Sequence, residues 1–226
     1  MSLFRVDPEN PISGPHQNQK ILTDGSDLDK ADIAMILIHG RGASAESMLM
    51  FANEFSGNAI HYRALQASGH TWYPRSFMAP IEMNEPGISS GLQAIQDQIG
   101  EVEKAGIPAE NVILLGFSQG ACLATEYAAR HPGRFGAIVG FSGGLIGEQV
   151  NPEKYSGTME KTPVFLGCSD RDPHIPKERV DKTEQVFQQL NANVTKRIYE
   201  GMGHTVNKDE IQHVNTLISQ ILKAKS

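Results

Sequence analysis

Ten residues, Val112-Ile113-Leu114-Leu115-Gly116-Phe117-Ser118-Gln119-Gly120-Ala121, decide how the rest of the chain is interpreted. A short apolar run leads into Gly-x-Ser-x-Gly, and residues 121–130 then form an Ala-rich segment with helical character. In this context of strand, tight turn and helix, the motif places its serine on a strained elbow with the hydroxyl exposed. Elsewhere the same motif occurs by chance in ordinary turns. We therefore predict that Ser118 is a nucleophile at a helix N-terminus, where backbone N–H groups stabilise negative charge.

The size and composition of the chain describe a single folded domain. Its 226 residues are 39% hydrophobic and 20% charged, which is typical of a globular protein and not of a disordered one. The net charge is -6 and Lys and Arg form no dense cluster, so nucleic acid is not expected as a partner. No apolar run reaches the ~20 residues of a membrane span. We predict an irregular lead-in over residues 1–19 and one domain over residues 20–226.

The termini and cysteines indicate the compartment. The first twenty residues are polar and contain prolines, unlike a secretory signal. Cys122 and Cys168 each fall inside a predicted core element, and two buried reduced thiols are favoured over a disulfide. We expect a cytoplasmic protein.

Apolar segments of strand length alternate with amphipathic helices. Helices are expected after Ser44, from Gly87 to about Gly106, over 121–130, over 177–190 and, after Asn207, over 208–223. Long loops are expected at 66–86 and 142–162. The alternation predicts an α/β fold: a mostly parallel sheet with helices on both faces. The strands are predicted at 20–23, 33–38, 60–65, 112–115, 137–141, 164–168 and 194–199.

Four polar clusters follow predicted strands. They are His39-Gly40-Arg41-Gly42, Ser118, the pair Asp170 and Asp172, and His204. In parallel sheets the ligand site lies beyond the carboxyl ends of the strands, so these clusters are expected to meet at one edge. Their agreement is a stronger indication of a site than any one motif.

A serine hydroxyl needs a base to accept its proton during attack. His204 is the candidate base, because glycines on both sides of Met202 let its loop bend toward the site; a Gly-flanked histidine is otherwise a surface residue. An acid must orient the imidazole and stabilise its charged form. Asp172 is favoured over Asp170, since Asp172-Pro173-His174-Ile175-Pro176 forms an extended loop that presents the carboxylate. The other aspartate is expected to be a turn residue.

Negative charge on the carbonyl oxygen of an intermediate needs two N–H donors. The backbone N–H groups of Gln119, after the nucleophile, and of Arg41, in the turn after the first buried strand, are the candidates. The alternative for residues 39–42 is a plain turn, and His39 is expected to be structural. The sequence contains no metal-ligand spacing, phosphate-binding Gly loop or dinucleotide motif, so neither a metal nor a cofactor is expected.

The chain resembles the phospholipase/carboxylesterase family of α/β-hydrolases. The resemblance is carried by His-Gly-Arg-Gly at 39–42, Gly-Phe-Ser-Gln-Gly at 116–120, Asp-Pro-His-Ile-Pro at 172–176 and Gly-His at 203–204, and spans residues 20–222. It implies an α/β-hydrolase fold with little or no cap domain, no cofactor, a Ser118–Asp172–His204 triad and oxyanion donors at Arg41 and Gln119. Thioesterase members carry Trp-Phe-Asp where this chain has Thr71-Trp72-Tyr73-Pro74, which is closer to bacterial carboxylesterase-like members.

The expected function is a serine carboxylesterase acting on a small-molecule ester with a short or medium acyl group. A lysophospholipase or acyl-thioesterase is the alternative within the enzymes, and a binding module on a hydrolase fold is the alternative outside them. Trp72, Tyr73, Leu145 and Ile146 are candidate substrate contacts, with core packing as the competing interpretation. A homodimer is the candidate oligomeric state.

Overall fold

The computed structural model describes residues 11–224 and contains a seven-stranded sheet. The strands are β1 Ile21–Gly25, β2 Ile33–Ile38, β3 Ile60–Leu65, β4 Val112–Phe117, β5 Ala137–Phe141, β6 Pro163–Ser169 and β7 Asn193–Tyr199. Their order in the sheet is β1-β3-β2-β4-β5-β6-β7. Strand β1 runs antiparallel to β3 at the edge, and all other neighbours are parallel.

Helices cover both faces of the sheet and each face has its own apolar core. The helices are α1 Ala45–Leu49, α2 Gly87–Lys104, α3 Gln119–Arg130, α4 Lys177–Gln189 and α5 Lys208–Ala224. Apolar residues of α2, α3 and α4 pack on one face, and those of α1 and α5 pack on the other. The predicted α/β architecture is confirmed.

Local sequence explains where these elements start. All six residues of β2 are fully buried, as a continuous apolar run between two parallel neighbours requires. Ser44 caps α1 in a capping box with Ser47. Asn207 caps α5: its Oδ1 accepts from the Glu210 N–H at 3.0 Å, and its own N–H donates to Glu210 Oε2 at 2.8 Å. Both caps were expected from the sequence.

The described part of the lead-in, residues 11–19, lacks regular helix or strand and lies against α2. The Ile12 N–H donates to Gln93 and the His16 N–H donates to Ser90, both on α2. The imidazole of His16 bonds the carbonyl of Trp72 at 2.8 Å, so this segment also supports the loop after β3. Residues 1–10, the rest of the predicted lead-in, lie outside the described residues.

Two further expectations concern the cysteines and the absence of a membrane span. Cys122 and Cys168 are both buried and free, which confirms the prediction of reduced thiols. Over residues 11–224, none of the helices combines the length and the apolar character needed to cross a bilayer.

Candidate active site

Ser118 occupies a tight elbow between β4 and α3. Its backbone has φ 55° and ψ -119°, a strained conformation for a residue with a side chain. The elbow closes only because its flanking glycines lack side chains. A Cβ on Gly116 would lie 2.3 Å from the backbone of Gly120, and a Cβ on Gly120 would lie 2.1 Å from the Ile38 carbonyl oxygen. The side chain of Ser118 is thereby held out from the edge of the sheet.

A chain of hydrogen bonds connects Ser118 to residues at two other strand ends. The Ser118 hydroxyl lies 2.9 Å from His204 Nε2, and His204 Nδ1 lies 2.7 Å from Asp172 Oδ2. An ionised carboxylate only accepts, so Nδ1 carries the proton and Nε2 accepts from the serine hydroxyl. Serine, imidazole and carboxylate are therefore arranged so that a proton can leave the hydroxyl.

The carboxylate of Asp172 is fully buried, with an exposed side-chain fraction of 0%. Its Oδ1 accepts from the backbone N–H groups of His174 at 2.8 Å and Ile175 at 3.0 Å. Burial alone would raise the pKa of Asp172, but the hydrogen bonds from His204 and these two N–H groups outweigh burial and hold the pKa below its ordinary value. The carboxylate is thus kept ionised beside the imidazole.

Asp170 serves a different purpose two residues earlier. Its Oδ1 accepts from the Gly201 N–H at 2.7 Å, in the turn that leads to His204. Ser169 Oγ accepts from the Gly203 N–H at 3.1 Å in the same turn. Among the described residues Asp170 makes no hydrogen bond or ion pair with His204, and its side chain fixes backbone as a turn residue does.

The segment after His204 is held by Glu210, a buried residue in the first turn of α5. One carboxylate oxygen, Oε2, accepts the Asn207 N–H, while Oε1 has no hydrogen-bond partner within residues 11–224 and lies against Gly167 of β6. Burial raises the pKa of Glu210 to about 7, and the Asn207 N–H partly opposes that effect.

The turn after β2 lies directly against the elbow. A Cβ on Gly40 would be 3.2 Å from Ser118 Cβ, so Gly40 packs close beside the Ser118 side chain, and Arg41 lines the same cleft. The backbone N–H groups of Arg41 and Gln119 donate to no backbone carbonyl within residues 11–224. His39 is structural: its Nε2 accepts the Ala67 N–H at 3.0 Å and its Nδ1 bonds the Gly40 carbonyl at 2.7 Å.

Two clefts meet at His204. The first, the nucleophile cleft, has a volume of about 470 Å³ and contains Ser118. The second, the α1–α5 groove, has a volume of about 640 Å³ and shares Gly40, Ala43, Phe117 and His204 with the first. The other walls of the nucleophile cleft include Tyr73, Phe77, Cys122 and Ile175, with Arg41, Arg75 and His174 among its polar residues. Apolar residues of the groove are Met48, Phe51, Val206 and Ile211.

Residues 25–222 match the family model described as phospholipase/carboxylesterase. The chain belongs to the phospholipase/carboxylesterase family. A crystal structure of a phospholipase/carboxylesterase from Dyadobacter fermentans is 38% identical, with a TM-score of 0.87, over 93% of this chain and 100% of that one. A Bacillus cereus carboxylesterase, 17% identical with a TM-score of 0.70, shares the α/β-hydrolase fold.

Curated relatives of this phospholipase/carboxylesterase family member carry two kinds of name. Acyl-protein thioesterase 1 of Saccharomyces cerevisiae is 30% identical over 63% of this chain and 64% of its own length. A probable carboxylesterase of Oryza sativa is 29% identical over 64% of this chain and 56% of its own length. The chain therefore spans less than two thirds of the length of these relatives.

The four predicted substrate contacts of this family member fall in different places. Tyr73 lines the nucleophile cleft. Trp72 is buried behind it and donates its indole N–H to the His39 carbonyl at 2.9 Å. Leu145 and Ile146 are buried in the core, where their N–H groups donate to Thr183 and Glu126. The structure thus brings only Tyr73 of the four to the wall of the nucleophile cleft.

Sequence reasoning missed several residues at the site. The ring of Phe117 lies 4.9 Å from the His204 ring, and that of His174 lies at the same distance edge-on. The side chain of Gln119 accepts the Trp72 N–H at 2.9 Å and donates to the Tyr73 carbonyl at 2.8 Å. Phe117 and His174 stand inside the recognised motifs, next to Ser118 and Asp172, and this adjacency was the available signal.

Proposed function

We propose that the chain is a serine carboxylesterase that hydrolyses carboxylic esters through an acyl-enzyme. Ser118 Oγ attacks the ester carbonyl carbon while His204 Nε2 accepts its proton. The tetrahedral intermediate collapses, the alcohol leaves with the proton from His204, and the acyl group stays on Ser118. Water then loses a proton to His204, attacks the acyl carbon and releases the carboxylic acid.

The observation that carries this proposal is the hydrogen-bonded chain from Ser118 through His204 to Asp172. Its two distances, 2.9 and 2.7 Å, lie within the range needed for proton transfer before any substrate binds. A binding module would have no use for a strained serine aligned with a base and a buried acid. The chain of hydrogen bonds therefore favours the enzyme over the non-catalytic alternative.

The backbone N–H groups of Arg41 and Gln119 are the proposed oxyanion donors. Both belong to residues that line the nucleophile cleft beside Ser118, and neither N–H is used by a backbone carbonyl within the described residues. Gln119 is also the first residue of α3, where the helix dipole adds to the attraction of negative charge. Loss of one such donor costs about 10²–10³ in rate.

A second candidate is an acyl-thioesterase or lysophospholipase. The name of the yeast relative favours the thioesterase, and the apolar walls of the α1–α5 groove give a long acyl chain a place to lie beside His204. Both candidates use the same three residues, so they differ in substrate and not in mechanism.

A panel of p-nitrophenyl esters with acyl chains from two to sixteen carbons tests the proposal. We expect kcat/KM to be highest for short and medium chains, and we expect Ser118→Ala to lower it by roughly 10⁵-fold or more. A matched set of acyl thioesters and lysophospholipids separates the second candidate: a preference for these over the short esters would replace the first. Equal turnover by wild type and Ser118→Ala would contradict both.

The proposed compartment is the cytoplasm. Its support is that Cys122 and Cys168 lie buried as free thiols, a state that reducing conditions maintain. The homodimer stays a prediction.

A further inference from the structure

The nucleophile cleft carries positive charge on a chain whose overall charge is negative. Arg41 and Arg75 line it, and no aspartate or glutamate is among its lining residues. The chain as a whole has a net charge of -6. Within residues 11–224, neither guanidinium lies within 4.0 Å of a carboxylate. A cleft with one sign of charge raises the local concentration of ligands of the other sign.

The backbone that presents Arg75 is fixed on both sides. The Arg75 N–H donates to Asn84 Oδ1 at 2.8 Å, and Asn84 Nδ2 donates to the Ser76 carbonyl at 2.8 Å. Asn84 is itself fully buried, with an exposed fraction of 0%. A buried amide therefore clamps residues 75 and 76, so the position from which the Arg75 side chain extends is rigid even though the side chain is exposed.

Arg41 also holds the backbone of Arg75. Its guanidinium donates to Thr71 Oγ1 and the Pro74 carbonyl, both at 3.1 Å, and to the Arg75 carbonyl at 2.6 Å. These acceptors are neutral, so the positive charge of Arg41 is not compensated by any of them. Arg41 thus holds the backbone of Arg75 and adds a second positive charge beside it.

We propose that Arg75, supported by Arg41, selects esters that carry an anionic group, a carboxylate or a phosphate, at a position away from the scissile bond. This inference rests on the proposed esterase function and names its substrate class. The guanidinium of Arg75 has no ion pair within the described residues and stands at the cleft that contains the nucleophile. Guanidinium groups bind carboxylates and phosphates in a two-pronged geometry.

Pairs of esters that differ only in charge test the proposal. Mono-p-nitrophenyl glutarate against p-nitrophenyl valerate places the anion on the acyl side. The acetyl ester of 4-hydroxyphenylacetate against that of 4-hydroxyphenylacetamide places it on the alcohol side. The acetyl ester of 4-hydroxyphenyl phosphate against that of 4-methoxyphenol replaces the carboxylate by a phosphate. The quantity measured is the ratio of kcat/KM for the anionic ester to that for its neutral partner.

We expect the wild-type ratio to be about tenfold in favour of the anion in at least one pair, as one charge-assisted contact provides. Arg75→Gln should remove most of this preference, and Arg75→Glu should reverse it. The matched control is Arg134→Gln, which removes an exposed arginine that lies outside the nucleophile cleft and should leave the ratio as in wild type. The preference should also fall when salt rises from about 20 to 200 mM.

The results distinguish a failure of the proposed anion selectivity from a failure of the proposed esterase function. A ratio of one or below in every pair, or a ratio that Arg75→Gln does not change, overturns the anion selectivity while Ser118-dependent hydrolysis of the neutral esters still supports the esterase. Hydrolysis of no ester of either charge by the folded wild type removes the esterase and the selectivity together. The pair that responds to Arg75 identifies the acyl or alcohol side and the carboxylate or phosphate.

Discussion

The rim that holds the three proposed catalytic residues and the loop over residues 66–86 are fixed in different ways. The rim consists of residues 116–121, 170–176 and 203–207, and its three segments bond to one another: Ser118 bonds His204, and His204 bonds Asp172. Gly116 meets Gly120, and Asp172 accepts N–H groups two and three residues ahead. The loop is held by its own Asn84 and by residues outside it: Arg41, Gln119 and His16 bond to it across 30 to 56 positions of sequence.

This difference indicates that the rim determines the chemistry and that the loop determines the selectivity for substrates. A rim that fixes its own backbone can keep one geometry whatever lies above it, which a reaction with strict alignment requires. The loop supplies Tyr73, Arg75 and Phe77 to the nucleophile cleft, so a change in its distant contacts alters the shape of the cleft and leaves the elbow intact. Four substitutions test this division, in order of the effect expected.

The largest effect is expected at the acid. Asp172→Asn should lower kcat/KM by about 10⁴, because the amide no longer stabilises the protonated imidazole. Asp170→Asn is the matched control: the amide oxygen can still accept the Gly201 N–H, so the loss should stay below about tenfold. Steady-state kinetics on a neutral ester measures both. A larger loss at Asp170 than at Asp172 would show that the acid is assigned to the wrong residue.

The elbow should tolerate no added methyl group. Gly120→Ala would place a Cβ about 2.1 Å from the Ile38 carbonyl oxygen and should lower the free energy of unfolding by more than about 3 kcal/mol. Gly100→Ala in α2 adds the same methyl group where nothing lies within 4 Å, and should raise it by about 0.5–1 kcal/mol. Urea unfolding followed by circular dichroism compares the two. Similar values for both variants would contradict the account of the elbow.

The segment after His204 should be sensitive to pH through Glu210. Its pKa is raised from an ordinary 4.5 to about 7, so the folded state holds more protons between these values and stability falls as pH rises through them. Glu210→Gln keeps an acceptor for the Asn207 N–H and removes this loss. The free energy of unfolding of the variant should therefore rise relative to that of wild type from pH 5 to pH 8, by up to about 3 kcal/mol. Thermal or urea unfolding at both pH values measures the gain, and a constant difference would contradict the raised pKa.

The smallest effect is expected when the bonds between Gln119 and the loop are removed. Gln119→Ala removes the side-chain bonds to the Trp72 N–H and the Tyr73 carbonyl but keeps the backbone N–H of residue 119. We expect kcat/KM to fall by roughly tenfold, because this is the size of effect that the loss of one buried hydrogen bond has. Gln188→Ala, an exposed glutamine in α4, is the control and should have no effect. A loss of 10³ or more would mean that the loop takes part in the chemistry.

The sequence predicted what depends on short stretches. Every strand was expected within a few residues of its observed position, because the apolar runs of β2, β4 and β5 are bounded by glycines and polar residues. The caps at Ser44 and Asn207 follow from side chains that bond three residues ahead. The placement of Ser118, Asp172 and His204 beyond the ends of β4, β6 and β7 follows from the parallel order of the sheet.

The contacts of the two long loops, residues 66–86 and 142–162, could not be predicted from the sequence. Trp72 and Tyr73 are adjacent aromatics, yet one is buried behind the cleft and the other lines it. What separates them is the side chain of Gln119, 46 to 47 positions away, which bonds the backbone of both. Leu145 and Ile146 were expected near the substrate, but Thr183 and Glu126 hold their backbone in the core. Contacts between residues so far apart in the sequence follow no periodicity and form no motif, so the sequence alone does not indicate them.

Labelling with a fluorophosphonate followed by peptide mass spectrometry tests the central claim most directly. The probe reacts only with a serine whose proton is removed by an aligned base, which is what the bond from Ser118 to His204 provides. We predict a single adduct on the peptide that contains Ser118, none in Ser118→Ala, and much slower labelling in His204→Ala. An unlabelled wild type that is folded, or an adduct on another serine, would contradict the account.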